Sequence, residues 1–274
     1  MTFSATDLDR LLSIVRDAAR VEIMPRFARL TAADVKVKAH ASDFVTVADE
    51  AAERFIETAV RDAFGEVAFV GEEVMERDAT VIDRIPDAPL CIVIDPIDGT
   101  FNYANGIPAF AVIASVIEHG RTVAGIILDP VRDDAAVALV GGGAFGVAGD
   151  GVRRPLKVAK AEPLRDMHGM VSWTYMEEPL RGRVLAGLAG VWGAYNYRCG
   201  GQEMRLVASG GAHFTLYHKL TPWDHAAGEL IHREAGGHAA KLDGAPYRAS
   251  DLRGGLLLAP DAESWTALHR QLVA

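Results

Sequence analysis

Hydrophobic and polar positions change period twice along this chain. Near the start, Leu8, Leu11, Leu12, Val15 and Ala19 recur at helical spacing. That pattern predicts a helix opening near Thr6, with Asp9 three residues on as a weak capping box, and ending or kinking at Pro25. A second helix is predicted over 49–64, with Ala52, Phe55, Ile56, Ala59 and Val60 on one face and Gly65 as its C-cap. Strand-like runs follow at 67–70, 90–94, 110–118, 122–128 and 135–140, with His119-Gly120 as a hairpin turn. Strands this close in sequence predict antiparallel neighbours. The turns Gly141-Gly142-Gly143 and Gly149-Asp150-Gly151 close this half. After about residue 160, short strands at 169–173 and 194–197 alternate with helical stretches at 202–208 and 224–235, the pattern of an α/β unit. The expected organisation is therefore an N-terminal subdomain, 1–152, of helices and a largely antiparallel sheet, and a C-terminal α/β subdomain, 153–274.

One apolar run ends abruptly on acids. Cys91-Ile92-Val93-Ile94 leads into Asp95-Pro96-Ile97-Asp98-Gly99-Thr100. Three other segments carry acids at similar places. Asp49 precedes a helical run, Glu72-Glu73 follow Phe69-Val70-Gly71, and Asp224 opens a helix of small residues. Each has a plain structural reading as a helix cap or a turn acid. Taken together they fit one site. Glu72, Asp95, Asp98 and Asp224 would carry about −4 if ionised, and would raise one another's pKa unless cations intervened. Two or three Mg²⁺ ions would offset that charge, with Asp95 as the natural bridge and Mn²⁺ as a substitute.

Composition narrows the partners. The net charge of −9 argues against broad binding to nucleic acid or anionic membrane, while a small phosphorylated substrate remains compatible with bound cations. Two cysteines make no disulfide framework, so a reducing compartment fits. The N-terminus lacks an apolar signal region, and no run is long enough to span a bilayer, so the expected location is cytoplasmic. Of nine histidines, no pair has compact zinc spacing; His218 and His225 are candidates to line a pocket near Asp224.

The four segments Asp43-Phe44-Val45-Thr46-Val47-Ala48-Asp49, Gly71-Glu72-Glu73, Asp95-Pro96-Ile97-Asp98-Gly99-Thr100-Phe101-Asn102-Tyr103 and Trp223-Asp224-His225-Ala226-Ala227-Gly228 resemble, in order and spacing, the signatures of the inositol monophosphatase family. The resemblance runs from about Lys38 to Gly237. It implies a lithium-sensitive, Mg²⁺-dependent sugar phosphatase with a layered αβαβα sandwich, often a homodimer. Residue by residue, it implies that Glu72, Asp95, the Ile97 carbonyl and Thr100 hold a first metal. Asp95, Asp98 and Asp224 would hold a second, and Glu72 would assist a third. Thr100 and Asp49 would activate the attacking water. The Gly99 and Thr100 N–H groups would cradle phosphate, Lys38 would belong to the loop before the first motif, and Glu73 would support the metal ligands.

The match departs where the substrate alcohol would be read. Seven residues before Asp224, where many members that act on inositol phosphates carry a glutamate, this chain has Tyr217. A family Gly-Ser/Thr-Ala segment corresponds to Arg198-Cys199-Gly200. Either these residues select an alcohol carrying an aromatic, heterocyclic or second anionic group, or they pack. The leading expectation is a phosphomonoesterase. The alternatives are a histidinol-phosphate or 3′(2′),5′-bisphosphate nucleotide phosphatase, and a regulatory protein-binding member.

Overall fold

The structure is a computed structural model and describes residues 3–38 and 44–274. Helix α1 (Ala5–Ala18) starts earlier than the apolar spacing suggests. The reciprocal cap is Ser4 with Asp7, not Thr6 with Asp9: Ser4 Oγ accepts from the Asp7 N–H, and Asp7 Oδ2 accepts from the Ser4 N–H at 2.9 Å. A π-helical turn over Ala19–Ile23 then leads to Pro25. Strands β1 (Val35–Val37) and β2 (Phe44–Thr46) form an antiparallel pair. Helix α2 (Val47–Phe64) is capped by Thr46, which makes Asp49 the third helical residue and not the cap. Gly65, at φ 75°, ends it as expected.

Strand β3 (Ala68–Gly71) leads through α3 (Glu72–Arg77) to β4 (Cys91–Asp98), then α4 (Thr100–Ala104), β5 (Ala111–Glu118), β6 (Arg121–Asp129), β7 (Asp134–Leu139), β8 (Gly143–Val147) and β9 (Arg153–Pro155). These seven strands form one sheet in chain order. Every neighbouring pair is antiparallel except β3–β4, which is parallel. The excursion through α3 is long enough to return the chain to the same end of the sheet, so proximity in sequence misleads there. Strand β9 belongs to this first sheet, so the sheet continues to Pro155, past the change expected at 152.

The rest of the chain runs β10 (His168–Val171), α5 (Leu180–Gly187), β11 (Gly193–Tyr195), α6 (Gly200–Ala208), β12 (Phe214–Tyr217), α7 (Pro222–Glu234), β13 (His238–Lys241), β14 (Leu256–Ala259) and α8 (Ala262–Leu272). The second sheet has the order β11-β10-β12-β14-β13, parallel on the β10 side and antiparallel around β14.

Strand alternation sorts these elements into layers. Ile92, Ile94, Val112, Val116, Ile126 and Val137 face α1 and α2. Val93, Ile113, Ile117 and Ile127 face the opposite way, onto Met204 of α6 and Ala227, Leu230 and Ile231 of α7. The far side of that middle layer meets Tyr217, Leu256 and Leu258 of the second sheet. Phe214, Leu216 and Leu257 face Val184 of α5 and Leu268 and Leu272 of α8. The result is a five-layer αβαβα sandwich, with each fully buried aliphatic contributing about 1.5–3 kcal/mol. The two helices of the middle layer lie close because residue 228 is glycine; a β-carbon there would overlap the Met204 sulfur.

Candidate active site

The site grows from an irregularity in β4. Residues three apart on a regular strand point to opposite faces. Asp95 pairs with Ile113 and Asp98 with Ala111, so three steps on β4 are matched by two on β5. The extra residue is a bulge. Its effect shows in the packing: Val93 faces the middle layer, whereas Ile97 faces α1 and α2. Asp95 and Asp98 thereby reach the same place. Helix α7 brings Asp224 to meet them, and one ligand atom from each of the three carboxylates lies within 4.8 Å of the others. Thr221 caps α7 and donates its hydroxyl to Asp224 Oδ2 at 2.5 Å, so Asp224, like Asp49, is a first-turn acid behind a threonine cap.

The electrostatics suit a bound cation. Burial drives Asp95 well above the usual carboxylate range, and the charges of Glu72, Asp224 and Asp98 drive it further. Asp98 is raised by burial and by Asp224, although donors at Gly201 and Cys199 pull the other way. Glu72 is raised by burial against the pull of Lys38, with Glu73 and Asp224 adding repulsion. A group of acids that destabilise one another's charge fits hard divalent cations such as Mg²⁺. The oxygen-only donor set, with Ile97 buried in the same bulge, fits as well.

The remaining expected residues are close by. Lys38 donates from Nζ to Glu72 Oε1 and Glu73 Oε1, both at 2.9 Å. Glu72 therefore meets a lysine and is not one of the three tightly grouped carboxylates. Asp49 is fully buried, and its Oδ2 accepts from the Thr46 N–H at 2.8 Å and hydroxyl at 2.5 Å. Thr100 Oγ1 lies 3.4 Å from Asp49 Oδ1 and 2.9 Å from the Ile97 carbonyl oxygen. Its single proton thus has two acceptors, the carbonyl being nearer. Burial raises Asp49 to about 7 despite the Thr46 donors. Gly99 sits at φ 86°, where other residues are strained. It is also hemmed in, since a β-carbon would come 3.0 Å from Cys199 Cβ and 3.1 Å from the Ala109 oxygen. Asp43 lies outside the described residues.

The alcohol-side candidates divide. Arg198, at φ 56°, stacks its guanidinium 3.5 Å over the Phe101 ring, which itself stacks on Phe44. Cys199 turns its thiol to Asp98 Oδ2 at 3.1 Å. Tyr217 is buried and donates its hydroxyl to Glu203 Oε2 at 3.0 Å. His225 packs edge-on against Tyr217, and its Nδ1 bonds the Thr221 backbone of its own helix start.

Residues 7–274 match the model described as the inositol monophosphatase family. The chain belongs to this family. Among its relatives, Inositol-1-monophosphatase ImpA of Mycolicibacterium smegmatis is 34% identical over 226 residues, 78% of this chain and 76% of that protein. Nus factor SuhB of Escherichia coli is 31% identical over 210 residues, 74% and 73% of the two chains. The extragenic suppressor protein suhB of Bartonella henselae superposes with a TM-score of 0.79 at 26% identity, covering 96% of this chain and 97% of that one. As a member of the inositol monophosphatase family, the chain is a phosphatase of that superfamily. Among the described residues, no helix is long and apolar enough to cross a membrane.

Two polar residues of this member's site region escaped the sequence reading. Glu203 shares the buried face of α6 with Met204 and Val207. An acid on an apolar helix face was the available signal. Asn102 lies two residues after Thr100, and its residue type alone indicates no role.

Proposed function

We propose that this chain is a Mg²⁺-dependent phosphomonoesterase that hydrolyses a small phosphorylated alcohol or sugar, with water as the acceptor. The observation that carries this reading is the convergence of Asp95, Asp98 and Asp224 to within 4.8 Å beside the Asp49–Thr100 pair. Glu72, Asp95, Asp98, Asp224, Thr100 and the Ile97 carbonyl would hold two or three Mg²⁺. Bound there, Mg²⁺ would supply positive charge for the phosphoryl oxygens and lower the pKa of the attacking water.

The chain's own residues do the rest. Asp49 Oδ2 is taken up by Thr46, so Oδ1 is the atom on the Thr100 side. A carboxylate raised to about 7 is a suitable base near neutral pH. Thr100 orients the water and passes its proton to Asp49. The Gly99 and Thr100 N–H groups hold the phosphoryl group as the new P–O bond forms and the alkoxide leaves. Lys38 and Glu73 set the position of Glu72 through their shared ion pair. Arg198, stacked on Phe101, is the cationic group for a second anion on the alcohol.

The test is phosphate release from inositol 1-phosphate, histidinol phosphate and a 3′(2′),5′-bisphosphate nucleotide, each with Mg²⁺, with Mn²⁺ and without metal. Mg²⁺-dependent release from at least one ester is expected. No release from any of them overturns the reading. It would favour a regulatory protein-binding role, the second reading prompted by the relative named as a Nus factor. We also expect a cytoplasmic homodimer inhibited by lithium, checked by sedimentation and by lithium titration of turnover.

A further inference from the structure

Three buried side chains left unused by the roles above converge behind Asp98. The Tyr197 peptide is held at both ends. Its N–H donates to Glu203 Oε1 at 2.7 Å, and its carbonyl accepts from Asn102 Nδ2 at 2.7 Å. The same amide donates to the Ala109 carbonyl at 2.7 Å. The second oxygen of Glu203 accepts from the Tyr217 hydroxyl. Asn102, Glu203 and Tyr217 are 4%, 1% and 5% exposed, so the side-chain end of each bond is buried.

That peptide leads directly into the segment gripping Asp98. The Gly201 N–H donates to Asp98 Oδ2 at 2.5 Å, and the Cys199 thiol reaches the same oxygen. Two donors on one oxygen fix the plane of a carboxylate and so fix where its other oxygen is offered. Asn102 also ties together the two strips of backbone that crowd Gly99. A β-carbon on Gly99 would lie 3.1 Å from the Ala109 oxygen and 3.3 Å from the Arg198 oxygen.

We propose that Asn102, Glu203 and Tyr217 are positioning residues that lock the Tyr197 peptide, so that residues 198–201 hold the Asp98 carboxylate ready for Mg²⁺, and that Tyr217 does not read the substrate alcohol. This inference rests on the proposed Mg²⁺ site. It also explains why a tyrosine can stand where many family members carry a glutamate. A phenol donates to Glu203, whereas an ionised carboxylate there would face a second acid.

The test is calorimetric titration of Mg²⁺ into the full chain stripped of metal, alongside steady-state kinetics at saturating Mg²⁺ with the fastest ester of the panel above. Tyr217→Phe removes one hydroxyl and keeps the ring. It should raise the Mg²⁺ dissociation constant about tenfold and leave KM within about twofold. Asn102→Ala should raise the same constant to a similar extent. The double variant should lose less than the product of the two single losses, because both act on one peptide. If Asn102→Ala fails to fold, Tyr217→Phe decides alone. A raised KM with unchanged Mg²⁺ affinity would make Tyr217 a substrate-reading residue and overturn the proposal. Unchanged affinity with unchanged KM overturns it too. Failure of the unaltered protein to bind Mg²⁺ would instead overturn the metal reading, and this inference with it.

Discussion

Two buried acidic centres lie side by side in this molecule, and they are built on opposite rules. Around Asp95 the neighbours are other acids, each making its charge harder to keep. Around Glu203 each carboxylate oxygen has its own donor, the Tyr197 N–H and the Tyr217 hydroxyl. A satisfied buried acid is a structural strut. Mutually repelling buried acids hold a cost that protonation or a bound cation relieves. The difference distinguishes the proposed metal centre from its support on electrostatics alone.

The sharpest break of this comparison is Asp95→Asn. Mg²⁺-dependent phosphate release should fall by about a thousandfold or more. At alkaline pH, where Asp95 would otherwise carry its charge, the melting temperature of the metal-free protein should rise, because one repelling charge is gone. A lower metal-free melting temperature would mean that Asp95 is a strut after all. Glu203→Ala should do the reverse. It leaves the Tyr197 N–H without its partner and the Tyr217 hydroxyl with only the Gly200 carbonyl at 3.4 Å, at about 2–4 kcal/mol of stability by denaturant titration.

Next in size is the pH dependence of the metal-free protein. Asp49 titrates at about 7 when folded and at its ordinary 3.8 when unfolded. Between those values the folded state holds a proton that the unfolded state has lost. Stability therefore declines as pH rises from about 4 to 7, at up to about 1.4 kcal/mol per pH unit for this one group. Saturating Mg²⁺ should flatten the profile by stabilising the ionised cluster, as thermal melts across that range would reveal. Smallest is Gly228→Ala, which forces a methyl against the Met204 sulfur. It should cost about 1–3 kcal/mol and weaken Mg²⁺ binding only as far as it shifts Asp224.

Much of this was legible in the chain. Helices α1 and α2, the hairpins from β5 to β7 and the acids of β4 and α7 follow from apolar period and turn residues. Four things did not. The cap at Ser4 was hidden because Thr6 and Asp9 offer the same spacing two residues later. The parallel β3–β4 pair depends on where α3 sends the chain, which local pattern does not encode. The work of Tyr217 depends on Glu203, fourteen residues away on another element; sequence gives the two residue types but not their meeting. Strands β8 and β9 were missed because glycine, alanine and arginine there carry little alternation.

The bulge at Pro96-Ile97 has one more consequence. What it preserves is a count and not an identity. Within β4 the apolar residues before Asp95 could exchange for one another at small cost, since strand side chains there need only fill the layer. Loss of a single residue between Asp95 and Asp98 is different. It would remove the bulge and return the strand to plain alternation; the two aspartates would still share a face, but the Ile97 turn whose carbonyl meets the Thr100 hydroxyl would be lost. The spacing of this segment is thus a constraint on length, one that substitution alone never tests.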